Sequence, residues 1–149
     1  MNGISTVSFV VQPLSTGEPV PSIVPGVNGV PLTDLVAEFE RAHNYEPTGG
    51  YAGLVPRFFR LGRLDEYFLG VSADPIYSNR GYWLLGCECG EAGCWPLEAR
   101  IVTNDRRISW EHFKQPFRPE RDYSNFGPFT FDVEQYRSCV EELTSTFSE

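Results

Sequence analysis

Three of the four cysteines in the chain lie within eight consecutive positions, in the stretch LLGCECGEAGCWPL at residues 84–97. The glycines between them permit backbone angles that other residues avoid, so a tight turn could bring the sulfur atoms together. A structural zinc ion takes four tetrahedrally arranged ligands, and thiolates are among those that it prefers. Cys87, Cys89 and Cys94 therefore predict three ligands of a metal site that needs a fourth.

The choice of a fourth ligand depends on how two strand-like segments pair. Residues 97–103 and 106–113 alternate apolar and polar side chains, which is typical of half-buried strands. Asn104 and Asp105 suit a two-residue turn between them, because both residue types tolerate a positive φ. With direct pairing across that turn, His112 lies on the apolar face, at the end of the sheet that carries the cysteine run.

The zinc hypothesis is therefore a Cys3His site formed by Cys87, Cys89, Cys94 and His112. His43 and Cys139 are the other candidates for the fourth position, although Cys139 is more simply a core residue. A Cys-x-Cys-x4-Cys run with one distant His differs from the paired motifs of common zinc sites. Interpretations without a metal therefore stay open.

Two such interpretations remain. The cysteines could be reduced thiols that pack within a turn, which is the interpretation that we favour. Alternatively, Cys89 and Cys94 could form a disulfide or a redox pair. No Lys or Arg lies between them to stabilise a thiolate, and Glu88 and Glu91 would disfavour one, so a redox enzyme is the least expected outcome.

Composition limits the fold and the partners of the chain. Its 149 residues are 41% hydrophobic and 14% aromatic, which predicts a single packed domain over 1–149. The net charge of −8 argues against nucleic acid and membranes as partners and suits a basic protein. No apolar run reaches about 18 residues, so we expect no membrane span. The first residues do not resemble a signal peptide, which predicts a cytoplasmic protein with reduced thiols.

Two amphipathic segments predict the main helices. Residues 34–43 place apolar side chains on one stripe, behind Thr33 as a capping residue. Residues 132–147 repeat apolar side chains at intervals of three and four, and Asp132 with Gln135 forms a capping-box pattern at their start. We therefore predict an α+β fold, with these two helices packed on one face of an antiparallel sheet of about four to six strands.

Further strands are expected at 6–12 and 81–87, and a short one at 66–71. Residues 13–31 contain five prolines and three glycines. Because proline cannot donate to a strand ladder, we expect neither a helix nor a central strand there, only a tight hairpin at 27–30.

The segment FKQPFRPERDYSNFGPFTF at 113–131 is rich in aromatic residues, proline and arginine and has no regular period. It either packs across the sheet or exposes an apolar patch to a partner. We favour packing, with Arg118 and Arg121 paired to nearby acids.

A family resemblance rests on four stretches: residues 84–101, the ISW and FKQPFRP motifs, and YSNFGPFTFDVEQY at 123–136. They resemble a family of small uncharacterised bacterial proteins with an LLGCxCGxxGCWPL and FGPFxFDxxQY signature, and NGVPLTDLVAEFE at 28–40 is similar to the entry of its first helix. The family has no established activity, so the resemblance implies an ordered cysteine turn and no chemistry. Its members carry His after the Gln-Pro pair, where this chain has Phe117; a ligand at that position would be missing here.

Three functions of different classes follow. The first is a non-catalytic interaction protein of the inhibitor or immunity type, which covers a basic partner with its acidic surface. The second is a structural zinc protein organised by the turn at Cys87, Cys89 and Cys94. The third, least expected, is a thiol-redox or hydrolytic enzyme, because His43 and His112 are the only histidine bases that could serve a nucleophile.

Overall fold

Two antiparallel sheets and three helices make up the described part of the chain. The computed structural model describes residues 4–13, 20–46, 48–56, 62–72, 74, 77, 81–87 and 95–147. The elements are β1 (Val7–Pro13), β2 (Pro21–Val27), β3 (Val30–Pro31), α1 (Leu32–Ala42), β4 (Tyr51–Ala52), α2 (Leu64–Phe68), β5 (Tyr82–Cys87), β6 (Leu97–Thr103), β7 (Arg107–Lys114), β8 (Phe129–Asp132) and α3 (Val133–Phe147).

The predicted α+β class is confirmed. Strands β4 to β8 form a five-stranded sheet in chain order, which has the predicted size. Strands β1 to β3 form a second, three-stranded sheet that the sequence did not predict. One hydrophobic cluster contains residues from both sheets and from all three helices. No helix among the described residues is long and apolar enough to cross a membrane.

The second sheet contradicts the expectation that residues 13–31 hold no central strand, because β2 is its central strand. The pairing explains how proline is tolerated. Pro21 and Pro25 lie opposite Pro13 and Phe9, whereas the residues that alternate with them face β1 at the hydrogen-bonding positions. The pairing with β1 therefore needs no backbone N–H donor from either proline.

Two local predictions on either side of β2 had different outcomes. The hairpin at 27–30 is confirmed: Asn28 and Gly29 have φ of 53° and 83° and connect β2 to β3. The short strand predicted at 66–71 is wrong, because residues 64–68 form α2. Leu64, Tyr67 and Phe68 are buried at intervals of three and four, which is the spacing of one helix face.

The two long helices begin differently. In α3, Asp132 caps as predicted: its Oδ2 accepts hydrogen bonds of 3.1 Å from the N–H groups of Glu134 and Gln135. In α1, the predicted cap Thr33 lies inside the helix, which begins at Leu32 after Pro31 and has no side-chain cap. The fixed φ of proline, −59° here, sets the chain direction at that end.

The aromatic segment 113–131 packs against the core, as predicted. Phe113, Tyr123 and Phe126 are buried, and Phe126 contacts Phe113 with ring centroids 4.9 Å apart. Phe117 is the exception among the aromatic side chains of the segment, since it is 50% exposed.

Candidate functional site

The predicted zinc ligands are only partly described by the structure. Cys87 is the last residue of β5 and is half-buried, opposite Tyr51 of β4. Cys89 and Cys94 lie outside the described residues. β5 and β6 are antiparallel neighbours, and Cys87 lies at the end of β5 from which the chain continues toward β6.

The position predicted for His112 is wrong. The register of β6 and β7 pairs Thr103 with Ile108, not with Arg106, so the turn is two residues longer than predicted. Asn104 causes this: its Oδ1 accepts hydrogen bonds from the N–H groups of Arg106 and Arg107, which holds a wider turn.

A second irregularity turns His112 away from the apolar face. The register shifts between Arg100 and Glu98 of β6, and His112 takes a φ of 56° at this bulge in β7. Its side chain is 72% exposed, and its Nε2 lies 3.9 Å from Oε1 of Glu111. His112 is therefore a surface residue that β6 separates from the strand of Cys87.

The described residues contain no group of three or more His, Cys, Asp or Glu side chains that could hold a metal. The zinc hypothesis still depends on Cys89 and Cys94, so it stays a prediction. Inductively coupled plasma mass spectrometry on protein purified without chelator tests it directly. About one zinc per chain would support it, and no zinc after expression in zinc-supplemented medium would exclude it.

The other two candidate ligands have structural partners. His43 follows α1, and its Nδ1 lies 2.9 Å from the carbonyl oxygen of Phe39, on whose ring it packs. Cys139 is half-buried on α3, and its Sγ donates to the carbonyl oxygen of Val7. Burial, and then the charge of Glu142, raises the pKa of the Cys139 thiol, so this sulfur is a poor thiolate.

The structure shows instead a buried group of ionisable residues that sequence reasoning did not assemble. We call Glu40, Tyr51, Arg121 and Tyr123 the ionic cluster. Oε2 of Glu40 accepts a hydrogen bond of 2.9 Å from Nη1 of Arg121 and one of 2.5 Å from the hydroxyl of Tyr123. The side chains of Glu40 and Arg121 are 0% and 4% exposed. The Tyr51 and Tyr123 hydroxyls are 3.1 Å apart.

The ionic cluster joins segments that are distant in sequence. Glu40 is on α1, and its Oε1 accepts a hydrogen bond of 2.7 Å from the N–H of Gly49. The carbonyl oxygen of Gly49 in turn accepts a 3.0 Å bond from the indole of Trp95. The guanidinium groups of Arg118 and Arg121 lie 4.8 and 5.2 Å from that indole. Trp95, two residues before β6, is thus connected to the same cluster.

Electrostatics within the cluster favour its present protonation state. Burial, strengthened by the hydrogen bond to Glu40, raises the pKa of Tyr123 to about 12. Burial also raises the pKa of Tyr51. Burial alone would lower the pKa of Arg121, but its hydrogen bond to Tyr123 and the charge of Glu40 outweigh this, and the pKa is raised. The phenols therefore stay neutral and the guanidinium stays charged at neutral pH.

A surface cleft of about 630 Å³ lies next to the cluster and is lined in part by Arg121 and Tyr123. Its lining also includes Glu111, Lys114 and Asp122, which carry charges of both signs, and His112. Arg121 and Tyr123 are already bonded to Glu40, so the arrangement holds α1 against the aromatic segment.

One signal in the sequence could have revealed the cluster. Glu40 follows Val36 by four residues, so it lies on the buried stripe of α1, where a charge requires a partner. The prediction that Arg121 pairs with an acid is confirmed, but the acid is distant in sequence. Nothing in a single sequence indicates which of the many acids that partner is.

The resemblance to a family of small bacterial proteins stays a prediction. No protein-family model, curated protein or solved structure matches this chain.

Proposed function

We propose that the protein is a non-catalytic interaction protein of the inhibitor or immunity type, which binds a basic protein surface through its acidic exterior. The observation that carries the proposal is the distribution of exposed charge. Among the described residues, ten acids and seven bases are exposed. The excess of three negative charges falls on the two long helices.

Both helices turn acidic residues outward. Together they expose five acids and two bases, whereas the strands and loops expose five of each. The residues on the helices are Asp34, Glu38, Arg41, Glu134, Arg137, Glu141 and Glu142. In α3 the opposite face is apolar and buried, so the position of the acids follows from how the helix packs.

The interior supports the same proposal. In the ionic cluster, the charges of Glu40 and Arg121 neutralise each other within the fold. The charges that a partner meets are those on the surface. An acidic surface of this kind accelerates association with a basic partner and gives the binding a strong dependence on salt.

Affinity capture from a lysate of the source organism tests the proposal when it is paired with charge variants. The full chain is immobilised beside a variant with Glu141→Gln and Glu142→Gln on α3, and beside a control with Asp74→Asn and Glu120→Gln outside the helices. We expect the wild type and the control to enrich the same basic protein, and the α3 variant to lose it. Capture of no basic protein, or equal capture by both variants, would contradict the proposal.

A further inference from the structure

The edge of β1 that faces away from β2 is hydrogen-bonded near its start and unpaired farther along. Ser5, just before β1, donates its N–H to the carbonyl oxygen of Thr130 in β8. Two residues on, Val7 is paired by a side chain: Gln135 of α3 accepts from its N–H at 2.9 Å and donates to its carbonyl oxygen at 2.8 Å. The Gln135 carboxamide thus takes the place of a neighbouring strand for one residue.

The alternation of β1 continues past this point. The carbonyl oxygens of Thr6 and Gln12 point to the β2 side, where they accept from Asn28 and Ser22. The register between β1 and β2 has no shift from Val7 to Pro13. The backbone groups of Phe9 and Val11 therefore point to the outer edge, where no strand of the described chain pairs with them.

The open part of the edge is apolar and uncharged. Val10 and Val11 are 47% and 36% exposed. The first charged residue of the chain is Glu18, so the whole strand lacks the charges that normally protect an edge. Within a chain of net charge −8, this is a surface on which two copies can meet without opposing like charges.

We propose that β1 pairs antiparallel with β1 of a second copy of this chain, forming a two-fold dimer through the outward groups of Phe9 and Val11. Phe9 of each copy then lies opposite Val11 of the other, so the two-fold axis passes at Val10 and the two copies of Val10 face each other. The three-stranded sheets of the two copies then form one continuous six-stranded sheet. One strand pair is a small interface, so the dimer is reversible. This inference is independent of the acidic helix faces.

Sedimentation velocity over a concentration series tests the dimer on the full chain. The wild type should shift from monomer to dimer as concentration rises to about 1 mM, and a closed two-fold pair should stop at two copies. Val11→Pro removes an outward N–H that β2 does not use, and it should leave the chain monomeric. Circular dichroism should show that this variant keeps the wild-type fold.

Charge substitutions then identify the edge. Val10→Lys should abolish dimerisation, because two like charges face each other across the axis. Val102→Lys is the matched control, since Val102 is 44% exposed on β6 and the same charge is added there. Mixing the Val10→Lys chain with the Val10→Glu chain should restore a dimer that neither forms alone. A wild type that stays monomeric, growth beyond two copies, or equal effects of the two lysine variants would overturn the proposal.

Discussion

Two buried polar networks hold this fold together by different means. The ionic cluster fastens α1 to the aromatic segment with a charged pair, Glu40 and Arg121. The second network, which we call the neutral cluster, consists of Phe68, Trp110 and Tyr136. The Trp110 indole donates to the Tyr136 hydroxyl at 3.0 Å, and that hydroxyl donates to the carbonyl oxygen of Phe68 at 2.5 Å.

The difference lies in what remains when one member is removed. A neutral hydroxyl can be deleted and leaves uncharged groups without a partner, which costs the desolvation of a dipole. Removal of one charge from a buried pair leaves the other charge in a medium of low polarity. The ionic cluster should therefore be the more fragile of the two regions, although the residues of both are buried.

The largest effect is expected for Arg121→Met, which leaves Glu40 buried without its cation. We expect the free energy of unfolding to fall by about 3–5 kcal/mol in urea denaturation. Arg118→Met is the matched control, because Arg118 also lies over Trp95 but is exposed. Its loss should be about 1 kcal/mol or less. Equal losses would show that the indole contact, and not the buried charge, is what matters.

A double variant sharpens the same point. Glu40→Gln removes the negative charge and keeps one acceptor oxygen, which can still accept from the N–H of Gly49, while its NH2 group can donate to the Tyr123 hydroxyl. Combined with Arg121→Met it should be more stable than Arg121→Met alone, because no charge is then buried without a partner. A double variant that is less stable than the single one would count against a charge effect.

The next effect concerns alkaline pH. The pKa of Tyr123 rises on folding from 10.0 to about 12, so the folded chain holds this proton more tightly than the unfolded chain. Its contribution to the free energy of unfolding is fully present below pH 10 and is lost as the pH rises through about 12. Tyr123→Phe should reduce the slope of unfolding free energy in that window. An unchanged slope would show that Tyr123 does not contribute to the pH dependence of stability.

Tyr136→Phe tests the neutral cluster. It deletes the donor to Phe68 and the acceptor for Trp110, and we expect a loss of about 1–3 kcal/mol. Because no charge is involved, the loss measured by urea denaturation should be the same at pH 6 and pH 8. A loss as large as that of Arg121→Met would erase the contrast between the two regions.

The smallest effect is expected at the glycine that connects the ionic cluster to Trp95. Gly49 has a φ of 82°, a backbone angle that residues other than glycine and asparagine rarely adopt. Gly49→Ala should cost about 1–2 kcal/mol, and Gly49→Asn should cost less. Thermal unfolding of the two variants separates backbone strain from loss of the hydrogen bonds, since equal costs would exclude strain as the cause.

Sequence reasoning succeeded where the signal was local and periodic. Helix α3, its Asp132 cap and the β2–β3 hairpin depend on residues within a few positions of one another. The predicted capping box was half right, because Gln135 reaches Val7 and not the backbone of Asp132. That choice depends on a strand 128 residues away, which no local pattern contains.

Failures came from irregularities of single residues. The side chain of Asn104 widened one turn, and the bulge at His112 rotated one strand, which together moved a predicted ligand into solvent. The pairing of Glu40 with Arg121 spans 81 positions. Composition predicted a packed acidic protein correctly, but it could not tell which of its acids face inward.

The spacing of the two prolines in β2 has a consequence for folding fidelity. Pro21 and Pro25 are four positions apart, and because this spacing is even, the backbone nitrogen atoms of both point away from β1. A shift of the register by one residue would place both prolines at positions where β1 needs an N–H donor, which the proline nitrogen lacks. The same shift would move the Ile23 side chain from the core to the opposite face of the sheet. The two prolines therefore favour the observed register of β1 and β2 over the register shifted by one residue.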